Sequence, residues 1–226
     1  MQDPYIVSIL TKFNALAGGL FLLAAFALVA TRQILACLRI YVAQSFLLAL
    51  SALLLGFQHI SVHLFAVAAI SLGIKCFLIP LLLRRTINQE IYARREISQV
   101  LNIPASLLIA VAIAIFAYFI STPLLDAAGG AFERINLPIG TACLFLGAYT
   151  ITVRREALPQ VIGILAMENG AFFAGVSIAP ALPLIAELAA AFDVLIIALV
   201  MGLLTRKIHE KIGTTSVGEM TALREE

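Results

Sequence analysis

Between Arg39 and Lys75, residues 40–74 read IYVAQSFLLALSALLLGFQHISVHLFAVAAISLGI, 35 positions without an acid, a lysine or an arginine. A helix that crosses a bilayer takes about 20 apolar residues, so the run is too long for one crossing and long enough for two. The cluster Gln58-His59-Ile60-Ser61-Val62-His63 collects polar side chains in the middle of the run and marks a turn. The stretch therefore predicts two antiparallel membrane helices, over about 35–56 and about 63–83.

The same reading extends outward in both directions. Lys12 and Arg32 enclose 19 uncharged positions, which gives a first span. Glu96 and Asp126 enclose 29, with a fourth span at 101–121 that has Pro104 in its first turn and Ser121-Thr122-Pro123 as its end. Arg134 and Arg154 enclose 19 and give a fifth. A sixth runs from Pro159 to Ser177, and a seventh from Leu184 to Thr205 after the tight turn Ala179-Pro180-Ala181-Leu182-Pro183. The expected fold class is an all-α integral membrane protein with seven transmembrane helices. It divides into a three-helix region with a following loop (1–100), a fourth helix and loop (101–135), and a three-helix region with a tail (136–226). Arg32 to Arg84 and Arg154 to Arg206 both span 52 residues, a spacing compatible with an internal duplication of one helical hairpin.

Composition agrees. Of 226 residues, 62% are hydrophobic and 12% charged, against about 45–50% and about 25% in soluble domains. The mean hydropathy of +1.05 leaves too few polar side chains to wet a globular surface. A soluble globule, a disordered chain and a nucleic-acid binder are excluded. Cys37, Cys76 and Cys143 are far apart in apolar runs, which reads as inert thiols rather than a metal site or disulfide framework. No cleavage site follows the first apolar run, so it reads as a retained helix.

Twelve of the fifteen Lys/Arg fall at one set of helix ends, including Arg32, Arg39, Arg84, Arg154 and Arg206, and only Lys12 and Arg134 at the other. By the positive-inside rule the N-terminus is outside and the C-terminus cytoplasmic. Arg84, Arg85, Arg94 and Arg95 flank a segment, Thr86 to Gln99, that mixes charges with Ile87, Ile91, Tyr92 and Ile97, and it is expected to be an amphipathic stretch lying along the membrane surface or a partner subunit.

Lys75 belongs to neither end. With Glu168 and Asp193 it is one of three ionisable residues deep in the predicted spans, and such residues mark functional paths. At 1.5 Å per residue, Glu168 and Asp193 each lie about 20 Å from the arginine belt, Gln44 about 18 Å and Lys75 about 13–14 Å. The alternatives are a carboxyl serving packing alone and a lysine snorkelling to an interface. Glu187 lies near the outer ends, and His59 and His63 read as solvated turn residues. Desolvation disfavours a buried carboxylate and a nearby ammonium favours it, so the two effects oppose one another. An acid–lysine set at one depth can then exchange protons near neutral pH, the requirement of a proton relay. Glu168, Asp193 and Lys75 are the relay candidates, with Gln44, Asn169 and Glu187 as a secondary polar axis.

In the sixth span the chain reads Gln160-Val161-Ile162-Gly163-Ile164-Leu165-Ala166-Met167-Glu168-Asn169-Gly170-Ala171-Phe172-Phe173. This resembles hydrogenase-4 component E, a membrane subunit of formate-hydrogenlyase-type NiFe hydrogenases. From about residue 137 onward the chain is also similar to subunit K of NADH–quinone oxidoreductase. The shared features are the Ile-Gly pair, a buried glutamate beside an asparagine, the run Ala189-Ala190-Ala191 followed by Asp193, and the tail Thr215-Ser216-Val217-Gly218-Glu219-Met220. In subunit K the glutamate directly follows the Ile-Gly-Leu run. Here that slot is Leu165 and Glu168 comes three residues later, while Asp193 stands where subunit K has a glutamate.

The resemblance implies a subunit without a redox centre or cofactor of its own, in the cytoplasmic membrane of a prokaryote. The Ni-Fe site and iron–sulfur clusters would belong to soluble hydrogenase partner subunits. Its direct partners would be antiporter-like subunits, a hydrogenase-anchoring subunit and the lipid bilayer, with no nucleic acid. The competing readings are a subunit of a multisubunit cation/proton antiporter, an independent seven-helix carrier and a scaffold with unused polar groups.

Overall fold

The computed structural model describes residues 4–87, 97–127 and 131–178, together with Gly202. Its described residues are helical apart from the short connections, where Gln99 and Arg154 form an isolated bridge, and six of its helices are long and apolar enough to cross a membrane. These are α1 (Pro4–Ala30), α2 (Ile34–His59), α3 (Val62–Ile70, Ser71–Leu78 and Ile79–Ile87, in one rod), α4 (Ile103–Ala127), α5 (Ala131–Val153) and α6 (Ala157–Ile178). The seventh predicted span, with Glu187, Asp193, the Ala189–Ala191 run and the tail, lies outside the described residues. So does most of the predicted surface segment, residues 88–96.

Each expected span in the described region is present, with shifted ends. The first begins nine residues before its predicted start, because Tyr5, Ile6, Val7, Ile9 and Leu10 extend the helix beyond an exposed Lys12. The turn between α2 and α3 falls in the predicted cluster. Ile60 adopts the left-handed conformation (φ 49°), and its N–H and that of Ser61 both close onto the Gly56 carbonyl. Asn102 caps α4 by accepting from the Ala105 N–H, with Pro104 in the first turn. Ser121-Thr122-Pro123 does not end α4, which continues to Ala127. The proline removes one backbone bond, the one to the Phe119 carbonyl, and a membrane helix tolerates such a loss without ending. The Ser121 and Thr122 hydroxyls just before it turn back onto the helix and donate to the Ala117 and Tyr118 carbonyls.

α5 and α6 form the tightest pair, a hairpin whose seam is built from glycine. A Cβ at Gly140 would collide with the Ala174 backbone, one at Gly170 with Leu144 N, and one at Gly163 would stand 3.0 Å from Ile151. Small residues are what let two membrane helices approach backbone to backbone. α1 packs against α2 and α5, α6 against α2, and α3 against α2. The Phe21 and Phe173 rings stack at 4.4 Å and fix α1 to α6. α4 lies at the periphery on α5 and α1. It buries the small stripe Ser106, Ala110, Ala117 and Ser121 and turns Leu108, Ile115, Phe116 and Phe119 outward.

The basic ends gather at one end of the bundle. Ile97 N–H donates to the Arg32 carbonyl, and Gln99 bridges Arg154. Arg154 is 2% exposed and its Nη2 reaches the carbonyls of Leu28 (2.7 Å), Val29 (3.3 Å) and Thr31 (2.6 Å). It thereby satisfies the last turn of α1, whose final carbonyls have no partner within the helix. Burial lowers the Arg154 pKa from its ordinary value, against the pull of nearby Glu156. Toward the opposite end, Asn14, Ser51 and Asn136 form a closed buried triangle across α1, α2 and α5. Ser51 Oγ donates to Asn14 Oδ1 (2.6 Å), Asn14 Nδ2 to Asn136 Oδ1 (2.7 Å), and Asn136 Nδ2 to Ser51 Oγ (3.1 Å). In an apolar interior these bonds hold helices where the hydrophobic effect cannot.

Candidate functional site

The site lies where α2, α3 and α6 meet. α3 is not a uniform α-helix there. Over Ser71–Leu78 it widens to a π-helix, with Lys75 in its middle. π turns are rare, and they re-aim side chains relative to the α-helical segments on either side. Lys75 Nζ donates to Glu168 Oε1 at 2.9 Å and to Asn169 Oδ1 at 3.2 Å, and stands 4.8 Å from the centre of the Phe172 ring. The lysine side chain is 3% exposed and that of the glutamate 17%. Asn169 in turn donates from Nδ2 to Ser45 Oγ at 2.9 Å. A continuous polar line therefore joins α3 to α6 and α6 to α2.

The nominal depths of Lys75 and Glu168 differ by about 6 Å, and the direction of the lysine stem closes that gap. Every Cα–Cβ bond in a helix tilts toward the N-terminus, which in α3 is the end away from Arg84. The stem thus climbs from the basic end toward Glu168 instead of snorkelling down. Each ion alone would lose several kcal/mol of hydration at this position. Together, with the asparagine oxygen and the aromatic face as further partners for the ammonium, they satisfy one another. A proton in the 2.9 Å bond can rest on nitrogen or oxygen with no change in the net charge of the pair. That is what a group must do to hold a proton and pass it on.

Of the sequence candidates, Lys75, Glu168 and Asn169 come together. Gln44 is buried one position before Ser45, and its amide has no hydrogen-bond partner among the described residues. Asp193 and Glu187 lie outside those residues. Sequence reasoning missed Ser45, Phe172 and the Tyr41 hydroxyl, which is buried with no hydrogen-bond partner among the described residues. The available signal was their spacing. Tyr41 and Ser45 are one turn apart in α2, and Glu168 and Phe172 one turn apart in α6. Cys37, Cys76 and Cys143 are free thiols. Among the described residues no three His, Cys, Asp or Glu side chains converge as a metal site.

This geometry defines a multi-pass helical membrane protein with a lysine–glutamate pair held inside the bundle. Compared with known proteins, the chain is 32% identical over 219 residues to the uncharacterized protein Rv0085 of Mycobacterium tuberculosis, covering 96% of this chain and 97% of that one. It is 29% identical over 220 residues to hydrogenase-4 component E of Escherichia coli and of Shigella flexneri, covering 93% of this chain and 96% of theirs. The chain belongs to one family with the mycobacterial protein, and it is similar along nearly its whole length to hydrogenase-4 component E. No family model matches it, and no solved structure matches it.

Proposed function

We propose that the chain is a membrane subunit of a hydrogenase-type complex and that Lys75 and Glu168 form one station of an ion path through its membrane arm. The observation that carries this reading is the 2.9 Å ion pair between α3 and α6. A charged pair in an apolar bundle is costly and marks a path for protons or ions. The family relationship supplies the context, since the named relatives are hydrogenase components.

In this reading the basic end faces the cytoplasm of a prokaryotic cell and the N-terminus lies outside. The nickel–iron and iron–sulfur chemistry of a formate-hydrogenlyase-type complex resides in soluble partner subunits. Antiporter-like and anchoring subunits flank this chain. Its own part is to take up a proton at Glu168, hold it against Lys75, and release it along the polar axis toward Asp193. Sodium in place of the proton would use the same carboxylate.

The test is Glu168→Gln, which keeps an oxygen that accepts from Lys75 but cannot titrate. Proton uptake by vesicles and assembly on native gels are measured on the same preparation. Assembly with impaired uptake supports the reading. Assembly with wild-type uptake refutes it.

A further inference from the structure

Gln44, beside Ser45 in α2, is a buried amide, 1% exposed, with both polar atoms, the oxygen and the nitrogen, unpartnered among the described residues. An amide side chain offers two donors and an acceptor, and a buried polar group left unmatched bears its full loss of hydration. Gln44 is also not isolated. Tyr41, 0% exposed, lies one turn before it, and its hydroxyl too has no hydrogen-bond partner among the described residues. Ser45, the next residue, already accepts from Asn169, which accepts from Lys75. Tyr41, Gln44 and Ser45 therefore form one polar face of α2 at the end of the line that begins at the ion pair.

We infer that Gln44 seats internal water, and that this water extends the Lys75–Glu168 pair into a hydrogen-bonded chain along α2. The required ligand follows from the donor set. It must donate to the Gln44 oxygen and accept from the Gln44 nitrogen. A metal cation cannot accept from an N–H, and an anion without a proton cannot donate. Water does both, and a buried water needs the two to four polar partners that Gln44, Tyr41 and Ser45 offer. The inference deepens the proposed function, since such water is the medium through which the pair would exchange protons. The experiment reads the water itself, so its outcome is separate from that of proton uptake.

The experiment is X-ray hydroxyl-radical labelling of the assembled protein in its native membrane. Radicals born from bound water oxidise the side chains beside it, and Tyr41 is the reporter. Phe21 and Phe173, equally buried at 0% and 2% exposure, are the dry references. After correction for intrinsic reactivity, Tyr41 is expected to label at least about tenfold faster than either reference. Gln44→Leu, of similar shape, is expected to lower the Tyr41 rate several-fold and leave Phe21 and Phe173 unchanged. Equal rates at all three residues in the unaltered protein overturn the inference, whether or not the variant assembles. An unchanged Tyr41 rate in Gln44→Leu overturns the role of Gln44 as the seat.

Discussion

The Lys75 ammonium and the Glu168 carboxylate lie 2.9 Å apart although 93 positions separate them in the chain. Each is therefore the reason the other can remain charged inside the bundle. Removing one partner of a buried pair strands the other and costs about 3–5 kcal/mol, whereas replacing both by apolar groups is often neutral. Lys75→Met is expected to lower the unfolding temperature in detergent sharply. The double variant Lys75→Met with Glu168→Met should recover most of the loss. A double variant as unstable as Lys75→Met alone would show that the pair is not energetically coupled.

The α5–α6 seam makes two opposite predictions for the same substitution. At Gly170 a Cβ would meet Leu144 N and the Cys143 backbone, while at Gly175 nothing lies within 4 Å. Gly170→Ala is expected to destabilise by about 1–3 kcal/mol through overpacking. Gly175→Ala is expected to stabilise by about 0.5–1 kcal/mol, by lowering the entropy of the unfolded chain and exposing less backbone. Thermal unfolding of the two variants side by side checks both signs.

Arg154 holds the end of α1 by bonds to three carbonyls from one nitrogen. Each buried carbonyl left unpaired costs about 1–3 kcal/mol, so Arg154→Met should destabilise by at least about 2 kcal/mol. The effect should be local. Hydrogen exchange is expected to rise at Thr31 and Cys37, whose amides donate to the Ala27 and Gln33 carbonyls on either side of the α1–α2 turn, and not in the Asn14–Ser51–Asn136 triangle.

Ile60 is the one non-glycine residue with positive φ among the described residues, and it is 77% exposed. A β-branched side chain in the left-handed region is strained by about 1–2 kcal/mol. Ile60→Gly is expected to recover about 1 kcal/mol, measured as a rise in unfolding temperature with no change in helix content.

The spans were legible in the sequence because a bilayer imposes a length and an absence of charge, and both can be counted. The turn at Gln58–His63 was legible for the same reason. Helix ends were less so. Pro123 reads as a stop, yet α4 runs four residues past it, because the loss of one backbone bond is not enough to end a membrane helix. Likewise, the reach of α1 to Pro4 is hidden behind Lys12, a charge that stays exposed and interrupts nothing. The charged layer containing Lys75 and Glu168 could be read from depth alone. That Lys75 turns inward to meet Glu168 could not, because it depends on a π turn, and hydropathy has no signature for one. Ser45 and the Asn14–Ser51–Asn136 triangle escaped because a single serine or asparagine in a long apolar run carries no information about what faces it.

The π turn in α3 also bears on how this protein tolerates genetic change. Such a turn holds one residue more than the α spiral would. Loss of a single codon other than that of Lys75 between Ser71 and Leu78 would let the rod close into a regular helix. The segments on either side would keep nearly their present phase, because the wider turn had absorbed the extra residue, but the side chains within the turn, Lys75 among them, would be re-aimed. Lys75 and Glu168 would both survive in the gene, and length, hydropathy and charge count would hardly change, yet the two side chains would no longer point at one another. In this family, an alignment gap within those eight positions would say more about whether the path is intact than the presence of either charged residue.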